Sequence, residues 1–183
     1  MATTHEHYTL PLPEFDKPVK VLIVIAPYYK AIADHQLAGA KAALDAAGAT
    51  YEVIEVPGAL EIPVAIGIAQ RQANFDGFVA LGCVIRGETT HYETVCVESN
   101  RGVTMLGMSG ACIGNCILTV ETRDQAIVRA DPAEMNKGGG AAVAALHLIA
   151  LTRKFGRPKG SIGFMPRPDV IEVAGNSKGP STA

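Results

Sequence analysis

The sequence lacks the features that mark several large classes of protein. It contains no tryptophan and only four cysteines among its 183 residues, too few for the disulfide framework of a small secreted domain. Cys112 and Cys116 have three residues between them, which is not the spacing of a zinc knuckle. We therefore expect buried, unpaired thiols and no metal site.

Neither sign of charge is in large excess. The chain has 16 Lys and Arg against 18 Asp and Glu, a net charge of −2, and its basic residues are scattered apart from small clusters such as Arg153-Lys154. A nucleic-acid partner would need a basic patch, so none is expected. No apolar run approaches the roughly 18 or more residues of a membrane span, and the start lacks the basic head and apolar segment of a secretory leader. We expect a cytoplasmic protein without a membrane partner.

Several sharp catalytic motifs are missing as well. The chain has no G-x-G-x-x-G after a strand, no G-x-x-x-x-G-K-[ST], no H-E-x-x-H and no G-x-S-x-G, which disfavours dinucleotide, P-loop, zincin and serine-hydrolase sites. His5 and His7 flank Glu6 near the start, where only adventitious metal binding is expected.

The composition that is present fits one ordinary globular domain. A chain of 19.2 kDa with 48% apolar residues can bury a sizeable core. Prolines and few apolar residues make residues 1–18 an expected extended arm. Residues 156–183, rich in Pro, Gly, Ser and Lys, are an expected flexible tail. The predicted domain is therefore 19–155.

Four apolar runs of strand length recur in this domain. They span residues 19–26, 51–56, 77–85 and 111–118. Three are apolar almost throughout, as expected for strands covered on both faces. The second run alternates with Glu52 and Glu55, which indicates an edge strand.

Helical periodicity fills the segments between the runs. An apolar stripe from Ala33 to Ala47 precedes Gly48, a predicted C′ residue. A second stripe covers 62–69, with Pro63 in its first turn. A last helix is predicted over 136–154, where small residues suit close packing against the sheet and another helix or subunit.

Two further helices are predicted from capping boxes. Thr90-x-x-Glu93 and Thr122-x-x-Gln125 have the required spacing, which predicts helices from about 91 and 123. The alternation of strand and helix implies right-handed crossovers. The predicted fold class is α/β: a three-layer α/β/α sandwich with a central four-stranded parallel sheet, doubly wound in the flavodoxin-like manner. Ligands of such sheets bind beyond the carboxyl ends of the strands.

Polar groups and glycines follow the predicted strands at that edge. Residues 27–29, 57–63 and 86–91 come directly after the first three runs. In the last of these, two threonines, a glycine and a helix start make an anion site suited to phosphate or carboxylate. The alternative is that Thr90 and Glu93 only cap the helix.

Individual residues at this edge have both functional and ordinary interpretations. Tyr28 would stack on a flat heterocycle or simply pack, and Glu61 would accept hydrogen bonds from ligand hydroxyls or complement the helix dipole. His91 has a reference pKa suited to proton transfer, or is a solvated surface histidine. Arg129 and Lys137 are candidate phosphate cations or solvated residues of a helix face.

The motifs resemble those of a known family. PGALEIP at 57–63, LGCVIRGETTH at 81–91, GNCILT at 114–119 and NKG at 136–138 occur in the order and spacing of the 6,7-dimethyl-8-ribityllumazine synthases. The resemblance covers about 19–155. It implies condensation of 5-amino-6-(ribitylamino)uracil with 3,4-dihydroxy-2-butanone 4-phosphate in riboflavin biosynthesis, with release of phosphate and water. It also implies no metal or redox cofactor.

The same resemblance implies a role for each site residue. Tyr28 stacks on the pyrimidine, the segment after the second strand holds the ribityl chain, and the end of the third strand lines the ring. The segment that holds the ribityl chain is Ala59, Leu60 and Glu61, and the strand end that lines the ring is Cys83, Val84 and Ile85. The resemblance further implies that Glu88, Thr89 and Arg129 bind the phosphate, with Lys137 as an auxiliary cation. It also implies that His91 transfers protons and that Asn115 completes the pocket from a neighbouring subunit.

The sequence also departs from the family pattern. Tyr28 stands where Phe or Trp is usual, Pro27 and Tyr29 replace other residues beside it, and Cys116 replaces a glycine. The loop 130–135 lacks the connection associated with icosahedral members, so we expect a homopentamer with active sites between adjacent subunits. Two alternatives remain open: a flavin- or lumazine-binding module without turnover, and a mainly structural assembly protein with a vestigial pocket.

Overall fold

The computed structural model describes residues 10–156. Strands and helices alternate along this part of the chain, and a fifth helix follows the fourth. The elements are β1 (Lys20–Ile25), α1 (Lys30–Ala46), β2 (Thr50–Glu55), α2 (Glu61–Gln72), β3 (Gly77–Ile85), α3 (His91–Met108), β4 (Ile113–Val120), α4 (Arg123–Ala130) and α5 (Lys137–Phe155). No helix among these residues is long and apolar enough to span a membrane.

The four strands form one parallel sheet between two layers of helices. The strand order is β2-β1-β3-β4. Helices α1, α4 and α5 cover one face, α2 and α3 cover the other, and each face has its own buried apolar cluster. This is the predicted flavodoxin-like α/β sandwich. The prediction of an edge position for the second strand is also confirmed, since β2 pairs only with β1 and is largely exposed.

The predicted strands are found with small shifts at their ends. β3 has the predicted bounds, whereas β4 begins at Ile113 and not at residue 111. Ala111 and Cys112 are buried before the strand begins. The Cys112 carbonyl accepts a hydrogen bond from the Phe78 N–H at 2.8 Å, and regular pairing starts with Phe78 opposite Ile113.

The predicted helix ends are right in position but only partly right in mechanism. Gly48 follows α1 with φ of +65°, the left-handed C′ conformation that glycine favours. Helices start at 91 and 123 as predicted. Thr122 has extended backbone, and its side chain accepts a hydrogen bond from the Gln125 N–H at 3.3 Å. The prediction of a capping box at Thr90 is wrong, because Thr90 has helical backbone and its side chain makes no capping bond.

Helix α5 packs closely against both the sheet and α1, as its small residues predicted. A Cβ added at Gly114 of β4 would lie 1.7 Å from the Ala141 carbonyl oxygen, and one added at Gly138 would lie 2.2 Å from the Gln36 carbonyl oxygen. Glycine is therefore required at both positions because backbone approaches backbone there.

Part of the predicted arm is packed on the domain. Residues 10–18 contain no helix or strand, but Phe15 contacts the core cluster beneath the Arg153 guanidinium, 5.2 Å from its ring centroid. Arg153 also donates hydrogen bonds to the Lys17 and Pro18 carbonyls at 2.8 and 2.7 Å. The expectation that the arm lies outside the core is wrong for Phe15. Residues 1–9 and 157–183, with most of the predicted tail, lie outside the described residues.

Candidate active site

A cleft of about 390 Å³ lies at the carboxyl ends of the strands. β1 and β3 are neighbours in the sheet, and the order of the strands reverses between them, which is the point where open α/β sheets bind ligands. Residues from the ends of β1 and β3, the start of α2 and the first turns of α3 line the cleft. They are Ala26, Tyr28, Tyr29, Gly58, Ala59, Leu60, Glu61, Cys83, Val84, Ile85, Gly87, Thr89, His91, Tyr92 and Val95.

An aromatic pair forms one wall of the cleft. Tyr28 is 74% exposed, and its ring meets the Tyr29 ring edge-to-face, with centroids 5.0 Å apart and planes at 76°. Tyr29 packs against the core, and its partial burial raises the pKa of its phenol. The contact supports the Tyr28 ring from one side and leaves it accessible to a planar ligand.

The turn before α2 supplies main-chain groups and a carboxylate. The Glu61 N–H donates a hydrogen bond to the Gly58 carbonyl at 3.2 Å, and Ala59 is buried at the cleft wall. A Cβ at Gly58 would lie 2.9 Å from the Glu61 carboxylate, so glycine allows that side chain to lie back over the turn. Glu61 is exposed as the first residue of α2 and can accept hydrogen bonds from ligand hydroxyls.

The end of β3 supplies an apolar wall. Val84 and Ile85 are half-buried there. Cys83 is buried, and burial raises the pKa of its thiol to about 12, with the nearby Cys116 thiol adding to the rise. A thiol with such a pKa is not ionised at neutral pH. Cys83 therefore contributes shape and apolar surface to the cleft, and not a nucleophile.

The loop between β3 and α3 supplies the polar end of the cleft. Gly87, Thr89 and His91 line it and are exposed. No atom lies within 4 Å of a Cβ built on Gly87, so the loop stands open at this point. Because the Thr90 side chain does not cap α3, the first N–H groups of that helix keep their capacity to bind an anion.

Four of the predicted site residues do not line the cleft of their own chain. Glu88 belongs to the same loop but does not line the cleft. Asn115 lies on the edge strand β4, where its side-chain nitrogen donates a hydrogen bond to the Asn100 side-chain oxygen at 2.6 Å. Its side-chain oxygen accepts a hydrogen bond from the Ile117 N–H at 2.9 Å. Arg129 donates to the Gln125 carbonyl at 3.0 Å within α4, and Lys137 begins α5.

Several residues that line the cleft are not among the predicted site residues. Tyr92 and Val95 follow His91 by one and four residues in α3, and Tyr29 follows Tyr28. Residues four apart share a helix face. Once His91 is placed at the cleft, this spacing predicts that Val95 lines it as well.

Comparison with known proteins identifies the family. The family model described as 6,7-dimethyl-8-ribityllumazine synthase matches residues 18–153, a stretch that contains every residue of the cleft. The chain belongs to this family. The match extends from the start of the sheet into the last turn of α5, so it covers the whole sandwich.

Individual lumazine synthases are similar over most of their length. The protein named 6,7-dimethyl-8-ribityllumazine synthase from Jannaschia sp. is 64% identical over 173 residues, covering 94% of this chain and 97% of the relative. The one from Novosphingobium aromaticivorans is 57% identical over 136 residues, 74% of this chain and 98% of the relative. The 6,7-dimethyl-8-ribityllumazine synthase 1 of Rhizobium meliloti is 53% identical over 149 residues, 78% and 97% of the two chains.

Proposed function

We propose that this chain condenses 5-amino-6-(D-ribitylamino)uracil with 3,4-dihydroxy-2-butanone 4-phosphate to give 6,7-dimethyl-8-ribityllumazine, phosphate and water. This is the penultimate step of riboflavin biosynthesis. One observation carries the assignment: in a chain of the lumazine synthase family, a single cleft joins an exposed aromatic ring, Tyr28, to the uncapped helix start at Thr89 and His91.

The reaction needs little covalent help from the protein. The uracil amine attacks the ketone and forms an imine with loss of water, phosphate leaves by elimination, and ring closure releases water. These steps exchange no electrons with a cofactor. Orientation of two reactants can contribute about 7–11 kcal/mol to lowering the barrier, which assigns the main role to the walls of the cleft.

The apolar side of the cleft suits the pyrimidine. Tyr28 would stack on the ring, with Cys83, Val84 and Ile85 against its edge. Ala59 and Leu60 would leave main-chain groups accessible to the ribityl chain, and the Glu61 carboxylate would accept hydrogen bonds from its hydroxyls. The small side chain at position 59 and the open turn at Gly58 support this arrangement.

The polar side suits the phosphate. Glu88 would contribute through its main chain, and Thr89 through its hydroxyl, beside the uncapped start of α3. His91 is in the first turn of that helix and exposed to the cleft, where it would move protons during imine formation and ring closure. Arg129 would neutralise the phosphate, with Lys137 as an auxiliary cation.

We further propose that the site lies between subunits of a homopentamer, with Asn115, Arg129 and Lys137 supplied by the neighbouring chain. Two observations support this. These residues do not line the cleft of their own chain, and α3 presents Val97, Met105 and Met108, 58–85% exposed, to its surroundings. Apolar side chains exposed together are typical of association surfaces.

We place the enzyme in the cytoplasm, without nucleic-acid or membrane partners. Four unpaired cysteines are typical of a reducing compartment. The small net charge, −2 for the whole chain, offers no electrostatic basis for binding polyanions.

The proposed reaction is tested by combining both substrates with the purified protein. Lumazine, measured by its fluorescence, and phosphate should be formed in equal amounts. Omission of either substrate should abolish both signals. Binding of the product without turnover would instead favour a lumazine-binding assembly protein. Light scattering tests the assembly: five chains of 19.2 kDa amount to about 96 kDa, whereas a shell of sixty would exceed about 1 MDa.

Sharing of the site between chains has its own test. Mixed rings are assembled from equal amounts of His91→Ala and Arg129→Ala chains, so each residue is native in half of the chains. If a cleft takes His91 from one chain and Arg129 from the next, about a quarter of the clefts contain both native residues. Assays at low phosphorylated substrate should therefore show more activity in the mixture than in either pure variant. Activity equal to the average of the pure variants would contradict sharing.

A further inference from the structure

Arg86 connects three segments at the polar end of the cleft. It directly follows β3, and its main-chain N–H donates a hydrogen bond to the Val120 carbonyl of β4 at 3.0 Å. Its side chain donates from Nε to the Glu121 carboxylate at 2.5 Å and from Nη1 to the Glu93 carboxylate. The guanidinium also lies over the Tyr92 ring, 4.2 Å from the centroid.

These contacts fix both ends of the loop that lines the cleft. Residues 87–90 leave the sheet at Arg86 and enter α3, whose first turn holds Glu93 and Tyr92. The loop has few restraints of its own, because Gly87 stands in open space and Thr90 makes no capping bond. We propose that Arg86 is a positioning residue that sets the geometry of the 87–90 loop and of His91 for the phosphorylated substrate; this inference rests on the proposed function.

The partners of Arg86 argue against direct phosphate binding. Two carboxylates bind one guanidinium, so the local charge of this group is negative and offers no free cation to a phosphate. The hydrogen bond from Arg86 lowers the pKa of Glu93, which keeps that carboxylate ionised and the bridge intact at neutral pH. Arg86 does not line the cleft.

The chemistry of the bridge requires arginine. A planar guanidinium can bind two carboxylates in fixed directions while it stacks on a ring, whereas a lysine ammonium is a compact point charge. Both ion pairs are exposed, with side chains 40–56% accessible, and exposed pairs add little to folding stability. Loss of the bridge should therefore affect kinetics more than thermal stability.

Steady-state kinetics on the full chain test this role, with each substrate varied in turn. Glu121→Gln removes one carboxylate from the bridge and should raise KM for the butanone phosphate about threefold or more, with the KM for the ribitylaminouracil and Tm nearly unchanged. Arg86→Met should give a larger rise, about tenfold, and Arg86→Lys should resemble it. Lys20→Met, which breaks the pair with Glu52 at the opposite end of the sheet, should leave all constants unchanged.

The sign of the Glu121→Gln effect distinguishes positioning from direct attraction. If the Arg86 charge attracted phosphate, removal of the neighbouring negative charge would lower KM, and Arg86→Lys would behave like the unmodified protein. Either result would overturn the proposal, and so would unchanged constants in Glu121→Gln. If Arg86→Met fails to fold, Glu121→Gln and Glu93→Gln still decide the question. Failure of the unmodified protein to form lumazine would refute the proposed function itself, and the inference with it.

Discussion

Gln36 allows a sharp prediction because a polar side chain is fully buried at the centre of the sandwich. Gln36 has no exposed surface. Its Nε2 donates hydrogen bonds to the Gly82 carbonyl at 2.9 Å, the Cys116 carbonyl at 2.8 Å and the Cys116 sulfur at 3.1 Å. Its Oε1 has no hydrogen-bond partner among the described residues. The amide therefore joins α1 to β3 and β4 while leaving one buried acceptor unsatisfied.

The contributions of the amide nearly cancel when leucine replaces it. Each hydrogen bond to a carbonyl contributes about 0.5–1.5 kcal/mol, so the two together contribute about 2 kcal/mol. An unsatisfied buried acceptor costs about 1–3 kcal/mol, and leucine removes that cost while filling a similar volume. Gln36→Leu should change the free energy of unfolding by less than about 1 kcal/mol. Gln36→Ala leaves a cavity in addition and should cost about 2–4 kcal/mol.

Urea unfolding at matched protein concentration measures both values, since assembly makes apparent stability depend on concentration. Leu44→Ala, a truncation at another fully buried position of α1, calibrates the cost of lost volume. Equal losses in Gln36→Leu and Gln36→Ala would show that the hydrogen bonds dominate and would refute the cancellation. A neutral Gln36→Ala would refute the cavity argument.

Three further predictions concern the site and the packing beneath it. His91→Ala should slow turnover but leave it measurable, because we propose that orientation of the two substrates supplies most of the rate enhancement; complete loss with folding and substrate binding intact would contradict this. Arg129→Ala should chiefly raise KM for the phosphorylated substrate, and an unchanged KM would remove Arg129 from that role. Gly114→Ala forces a methyl group against the α5 backbone and should destabilise by about 3 kcal/mol or more. Its control, Gly107→Ala, meets open space within α3 and should stabilise slightly, as thermal unfolding can show.

The layered fold was predictable because burial imposes a pattern on the sequence. Strands covered on both faces need uninterrupted apolar runs, as in β1 and β3, whereas the exposed edge strand β2 carries two glutamates, Glu52 and Glu55, within its run. Once the strands alternate with helices, the handedness of the crossovers leaves few topologies. The position of the cleft then follows from the strand order.

The local mechanism at α3 was not predictable from spacing alone. Thr90 and Glu93 have capping-box spacing, but a cap needs extended backbone at its first residue, and Thr90 has helical backbone. The carboxylate of Glu93 binds Arg86 instead. Glu121, the other partner of Arg86, is 35 residues away in sequence, so this competition becomes visible only when β3 and β4 are placed side by side.

The assembly proposal depends on residues that the sequence motifs assign to the site but that do not line the cleft of their own chain. Thr89 and His91 are brought to the cleft by β3 and α3, which one chain supplies, whereas Arg129 and Lys137 belong to helices on the other face of the sheet. A phosphate bound at the start of α3 would therefore meet helix N–H groups from one chain and a guanidinium from the next. In this proposed arrangement Arg86 would order the half of the site that one chain supplies, and the neighbouring chain would supply the positive charge that this half lacks. The two contributions should be separable in the kinetics of mixed rings. The cleft of a chain with an Arg86 substitution should stay impaired beside a neighbour that carries native Arg86. The cleft of a chain with an Arg129 substitution should regain activity beside a neighbour that carries native Arg129.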